Sequence, residues 1–187
     1  MGRRYDCLTD AHREFIARQK IFFVATAAAT GSINLSPKGL DSLRVLDARR
    51  LVWLNLTGSG NETAAHLQRL PRITLLFCAF AGQPLILRIY GRGRLHYPGD
   101  PGWSTHISRF PSLPGARQLV EVEIEQVQTS CGMGVPLYHY IGERRDLTDW
   151  AQRKGTHGLH AYWRKHNTTS LDGLPIAFPG GLLPEEE

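Results

Sequence analysis

The chain has 187 residues, 42% of them hydrophobic, which suffices for one well-buried core but is short for two, so a single unit spanning 1–187 is expected. No apolar run approaches the roughly 18 residues that cross a bilayer, and the start from Met1 to Asp10 is too polar for a secretory signal, which predicts a cytoplasmic protein with no membrane partner. A formal charge of +5 favours acidic partners, from a phosphorylated cofactor to a nucleic acid, without choosing between them.

In chain order, Thr9 and Asp10 are N-cap residues ahead of a short helix over 11–20, where Ala11, Phe15 and Ile16 share a face. Residues 21–27 are apolar apart from Thr26, and after the turn-like Thr30-Gly31 residues 32–38 alternate, so the two segments form a hairpin. Period-two geometry sets Ile33 and Leu35 on one face of its second arm and Asn34, Ser36 and Lys38 on the other. Pro37 cannot donate to a ladder, which puts that strand at an edge or an end. Residues 43–46 and 51–56 make another pair across the polar segment 47–50. A flexible polar loop, 57–63, then leads into a helix over 64–70 that Pro71 closes. Ser59 with Glu62 has capping-box spacing there, while Asn61 is the competing N-cap.

Segments 72–80 and 85–96 form the next strand pair. On the second, Arg88, Tyr90, Arg92 and Arg94 share a face, and Gly91 and Gly93 predict a bulge or a close backbone approach. A proline-rich stretch with a short helix over 103–110 follows. Residues 119–127 then alternate, with Val120, Val122 and Ile124 inward and Glu121, Glu123 and Glu125 outward. Past Cys131 the period turns helical. Helices over 145–154 and 157–166 are separated by Gly155 and followed by a Gly/Pro-rich tail, so that 137–187 is a C-terminal helical extension and tail. The whole reads as mainly β with flanking helices.

Backbone N–H groups and the positive dipole end at a helix start attract phosphate, which makes the loop 58–63 a candidate anion site with Ser59, Asn61 and Thr63 as side-chain donors. A capped surface helix without a ligand has the same spacing. No Gly-Lys-Ser/Thr follows as a Walker A loop needs, and Thr63 stands where a dinucleotide fingerprint has its third glycine. Lys38 is either a solvated lysine at a strand end or a cation for a bound anionic ligand. His157 and His160 lie three apart without a third ligand, so no metal site is expected, and a hydrolase lacks its G-x-S-x-G elbow. Cys7, Cys78 and Cys131 form no C-x-x-C pair and read as reduced thiols. Tyr90 alone among the arginines is a poor stacking platform, so nucleic acid is not the expected partner.

The succession of helix, hairpin, Ser36-Pro37-Lys38-Gly39, the strand Leu51-Val52-Trp53-Leu54-Asn55, the polar loop, the short helix and Leu70-Pro71-Arg72-Ile73-Thr74-Leu75-Leu76-Phe77 resembles the pyridoxamine 5'-phosphate oxidase-like FMN-binding split-barrel family, over roughly residues 15–127. The resemblance implies an antiparallel split β-barrel, a homodimer, and FMN in a cleft between subunits. It implies Ser36, Pro37 and Lys38 at the ring or ribityl chain, Trp53, Leu54 and Asn55 beside the ring, and Asn61, Glu62 and Thr63 at the phosphate, on the same loop as the anion site read above with Ser59 among its donors. Lys38 would sit near the phosphate or the N1/O2 edge of the ring. The family's oxidases carry an Arg-Lys pair where this chain has Glu62-Thr63, so phosphate binding would use backbone N–H groups, Thr63, and Lys38 or an arginine of the basic strand. Their C-terminal Arg-x-His substrate motif has no counterpart in Gly142-Glu143-Arg144-Arg145-Asp146. The implied activity is hydride transfer through flavin N5 with an unnamed small-molecule substrate or electron donor. The alternative is a flavin- or haem-binding sensor or carrier without turnover. Residues 132–134 and the helices bearing Trp150, Tyr162 and Trp163 either cover the cleft or simply pack on the barrel.

Overall fold

The computed structural model describes residues 2–179 and 182–183. Helix α1 (Asp10–Arg18) starts where the sequence places it: the Thr9 hydroxyl accepts from the His12 N–H, and His12 Nδ1 accepts from the Thr9 N–H. The strands are β1 (Arg3–Tyr5), β2 (Phe22–Ala27), β3 (Ile33–Lys38), β4 (Leu43–Val45), β5 (Arg50–Leu56), β6 (Arg72–Cys78), β7 (Ile86–His96) and β8 (Ala116–Ser130). They join one antiparallel sheet in the order β3-β2-β6-β7-β8-β5-β4, with β1 added to β8.

That sheet curls into a half-barrel. Three strands separate β2 from β5 along the path, so a flat sheet would hold them about 19 Å apart. Yet the rings of Phe22 and Trp53, one from each strand, lie 6.3 Å apart edge to face. Val24, Leu75, Ile89, Val120 and Val122 close the same interior cluster. Burying these inward residues holds the curl, at roughly 25 cal/mol for each Å² of apolar surface removed from water.

The predicted alternation of 119–127 is observed: Val120, Val122 and Ile124 are buried. The register sets Arg92 opposite Glu123 and Arg94 opposite Glu121, so the basic stripe of β7 faces the acidic stripe of β8. The expected bulge lies between Tyr90 and Gly91. A Cβ on Gly91 would come within 2.1 Å of the Glu123 carbonyl oxygen. Gly91→Ala is therefore expected to destabilise the fold by about 1–3 kcal/mol, read as a lower denaturant midpoint at unchanged slope.

Helix α2 (Glu62–Leu67) is shorter than the predicted 64–70 span and starts two residues earlier. It packs with Ala64 and Ala65 against Ile176 of the C-terminal segment. Helix α3 (Pro101–His106) and the 3₁₀ turn Ile107–Arg109 cover the outer face, where Trp103, Ile107 and Phe110 meet Val52, Leu54 and Leu119. Helix α4 (Asp146–His166) is broken at Gly155, whose φ of 64° is left-handed, as the two-helix expectation requires.

The segment after α4 departs from its reading as a mere tail. It doubles back, with Ile176 donating to the Thr168 carbonyl and Ser170 to that of Leu174, and crosses α2, where Gln68 and Arg69 bond to the Ala177 and Pro175 carbonyls. Positions 180–181 and 184–187 of that tail lie outside the described residues. Among the described residues no helix is long and apolar enough to cross a membrane.

Candidate functional site

The split of the barrel, where edge strand β3 passes β5 without pairing, opens a cleft of about 530 Å³. A ladder bulge between Asn55 and Leu56 ends β5 beside it. Lys38 of β3 bridges the split by donating to Asn55 Oδ1 at 3.1 Å. The polar face of β3 read from period two is wired into α2. Ser36 donates to Asn34 Oδ1 at 2.9 Å, and Asn34 Nδ2 donates to Thr26 and Thr63 hydroxyls at 3.2 Å each. Thr26 Oγ1 in turn lies 3.0 Å from His66 Nδ1.

The opposite wall comes from β8 and the C-terminal segment. Arg117 is only 2% exposed. Its Nε donates to Gln118, and its Nη1 donates to the Gly60 carbonyl at 3.2 Å and to Asn167 Oδ1. Asn167 Nδ2 reaches the Gly58 carbonyl at 3.2 Å, and Asn61 is held through Gln118 at 2.8 Å. Trp163 donates to Thr57 Oγ1 at 2.8 Å, so α4 packs on the base of the same loop. Glu62 accepts from the Leu171 N–H at 3.0 Å, and Asp172 takes both the N–H and the hydroxyl of Ser32. These carboxylates anchor the returning strap to α2 and to the β2–β3 turn.

The cleft brings together two cations, Lys38 and Arg117, and one carboxylate, Glu62. Neither Lys38 nor Arg117 makes a salt bridge among the described residues. Burial, with the Arg117 guanidinium adding repulsion, pushes the Lys38 ammonium down to about 8, and burial lowers Arg117 to about 10.

Of the residues singled out from sequence, Ser36, Lys38, Asn55, Ser59, Asn61, Glu62 and Thr63 line this one cleft. Trp53 and Leu54 do not. Their strand is buried on both faces, so alternation sends Trp53 into the barrel interior and Leu54 under α3, and only Asn55 reaches the cleft. Pro37 turns the other way, into a second cavity of about 430 Å³ that Lys38 also borders, walled by Ile21, Leu40, Tyr140 and Leu147. The basic stripe of β7 lines neither cavity, nor do residues 132–134. Sequence reasoning missed Arg117, His166, Thr169, Ser170 and Leu171. The signal for Arg117 was an arginine and a glutamine just ahead of an apolar strand.

A polar, cation-bearing cleft at the seam of an antiparallel split barrel defines the class of protein. A family model described as pyridoxamine 5'-phosphate oxidase matches residues 8–131. Over 189 residues the chain is 36% identical to the pyridoxamine 5'-phosphate oxidase family protein ustO of Aspergillus flavus, covering 91% of this chain and 76% of that one. The fold is similar to that of a Lactobacillus delbrueckii protein assigned as a pyridoxamine 5'-phosphate oxidase, with a TM-score of 0.53 and 21% identity over 66% of this chain and 94% of that one. HupZ of Group A Streptococcus gives a TM-score of 0.50 and 19% identity over 65% of this chain and 98% of that one. The chain belongs to the pyridoxamine 5'-phosphate oxidase family. The family match ends at 131, whereas His166 to Leu171 of the cleft wall come from beyond it.

Proposed function

We propose that the cleft binds FMN and that the protein is a flavin-dependent oxidoreductase acting as a homodimer. The observation that carries this reading is the pair of cations, Lys38 and Arg117, lining one polar cleft with no ion-pair partner among the described residues. A cleft of about 530 Å³ falls within the range of small-molecule sites, and its lining of amide, hydroxyl and cationic groups suits a phosphorylated ligand with a polar chain. Bound flavin would supply hydride transfer at N5. The protein's part is to hold and orient: Lys38, fixed on Asn55, would stabilise negative charge on the ligand's phosphate, while Asn34, Ser36 and Thr63 offer neutral partners. The apolar second cavity next to Lys38 suits the small-molecule substrate or electron donor.

Two outward residues of edge strand β3, Ile33 and Leu35, are 76% and 65% exposed, and Leu137, Tyr138 and Ile141 are exposed as well. Such an apolar edge invites cover, and a second copy of the chain provides it. Replacing both Ile33 and Leu35 by Asp is expected to convert a dimer to a monomer in sedimentation equilibrium; an unchanged mass would place the contact elsewhere. Three free thiols suit a reducing compartment such as the cytoplasm.

The test is an absorption spectrum. The purified protein, or protein supplied with FMN, is expected to show the broad blue band of bound flavin and to be bleached by NADPH. Colourless protein that stays colourless with FMN overturns the reading, and a sharp Soret band would assign the cleft to haem.

A further inference from the structure

We propose that Arg117 is the residue that recognises the ligand's phosphate, so that the cleft selects a monophosphorylated flavin over the unphosphorylated ring system. The inference rests on the flavin reading above and assigns one of its contacts. Arg117 sits on β8, and among the described residues no Asp or Glu is buried with it. Burying an unpaired guanidinium is costly, and neutral acceptors compensate it only in part. Two of its nitrogens are accounted for: Nε by Gln118, and Nη1 by the Gly60 carbonyl and Asn167. Nη2 has no acceptor among the described residues, and the side chain lines the cleft. With Nε and Nη1 committed to neutral acceptors, the guanidinium keeps the two N–H groups of Nη2 to donate, and a phosphate oxygen is the acceptor that also answers its charge.

A purely structural role, pinning the loop through Gly60 and Asn167, explains Nη1 but leaves both the charge and Nη2 unexplained. The charge inventory of the cleft points the same way. At the start of α2 stand Glu62, whose carboxylate is committed to the Leu171 N–H, and Thr63, whose hydroxyl accepts from Asn34. Neither adds a positive charge. Arg117 contacts the carbonyl of Gly60 in the loop just ahead of them, and so brings a cation to that loop from a different strand. Lys38 lies on the facing wall, near enough for the two cations to repel. An anion between them relieves both.

The experiment compares FMN and riboflavin binding, by flavin fluorescence quenching, in the full-length protein and in Arg117→Met and Arg117→Lys. The unaltered protein is expected to prefer FMN by about 100-fold, and Arg117→Met to lose that preference while keeping riboflavin affinity within about threefold. Arg117→Lys, which keeps the charge without the fork, is expected to fall between. Parallel loss of FMN and riboflavin affinity overturns the assignment and leaves Arg117 a structural pin, with the flavin reading intact. Failure of the unaltered protein to bind either flavin overturns the flavin reading, and this inference with it. Where the variants do not fold by circular dichroism, a crystal structure of the unaltered protein with FMN decides. A phosphate oxygen in hydrogen-bonding reach of Arg117 Nη2 supports the proposal, and a phosphate held elsewhere overturns it.

Discussion

Asn167→Leu is expected to lower the unfolding free energy by about 3–5 kcal/mol, a fifth or more of what a domain of this size has to lose. Asn167 is 0% exposed and begins the returning strap. Its side chain accepts from Arg117 Nη1 and donates to the Gly58 carbonyl. Leucine keeps the volume and removes both bonds, which strands a buried guanidinium N–H and frees a half-buried carbonyl at once. The charged partner dominates the cost, since its other Nη1 acceptor, Gly60, lies at 3.2 Å and cannot take both protons. Thermal melting should drop by roughly 10 °C. A loss under about 1 kcal/mol would mean that water replaces Asn167, and that Arg117 is less sequestered than its burial implies.

How far the sequence foretold this arrangement depends on the range of the contacts involved. The β2–β3 hairpin and the 119–127 alternation were legible because strand geometry is written in a period of two over neighbouring residues. The Thr9 cap and the break at Gly155 were legible because they are local backbone events. Strand β1 was not: three residues carry no period, and Arg3 finds its partner at Thr129, across nearly the whole barrel domain. The site divides along the same line. Its first wall, Ser36 and Lys38 with Asn55 and residues 59–63, follows from two strands and the loop that leaves the second of them. The second wall needs a return of the chain over 109 residues, from Gly58 to Asn167, that no local pattern announces. Trp53 shows the converse. The resemblance pointed to its strand, but which side chain faces the cleft is set by the pleat, and the pleat puts Trp53 with Leu51 and leaves the cleft to Asn55.

The affinity for FMN is expected to be flat near neutral pH and to fall above about pH 8, with at most about a tenfold loss per unit. The ammonium of Lys38 loses its proton near pH 8 in the free cleft because burial and then the Arg117 charge disfavour the protonated form. A bound phosphate dianion favours that form, so the pKa of Lys38 in the complex lies above its value in the free protein. Between the two values binding takes up a proton, and by linkage the affinity must fall as the proton becomes scarce; below both, the lysine is charged in either state and no slope remains. Riboflavin, lacking the dianion, should show a shallower fall over the same range. Lys38→Met should weaken FMN binding at neutral pH and abolish the slope above pH 8, and fluorescence titrations between about pH 7 and 10 read both effects. The opposite sign, affinity rising with pH, would mean that the neutral amine is the binding form. A slope that survives in Lys38→Met would transfer the titration to another group, with Arg117, lowered to about 10 by burial, the next cation in the cleft.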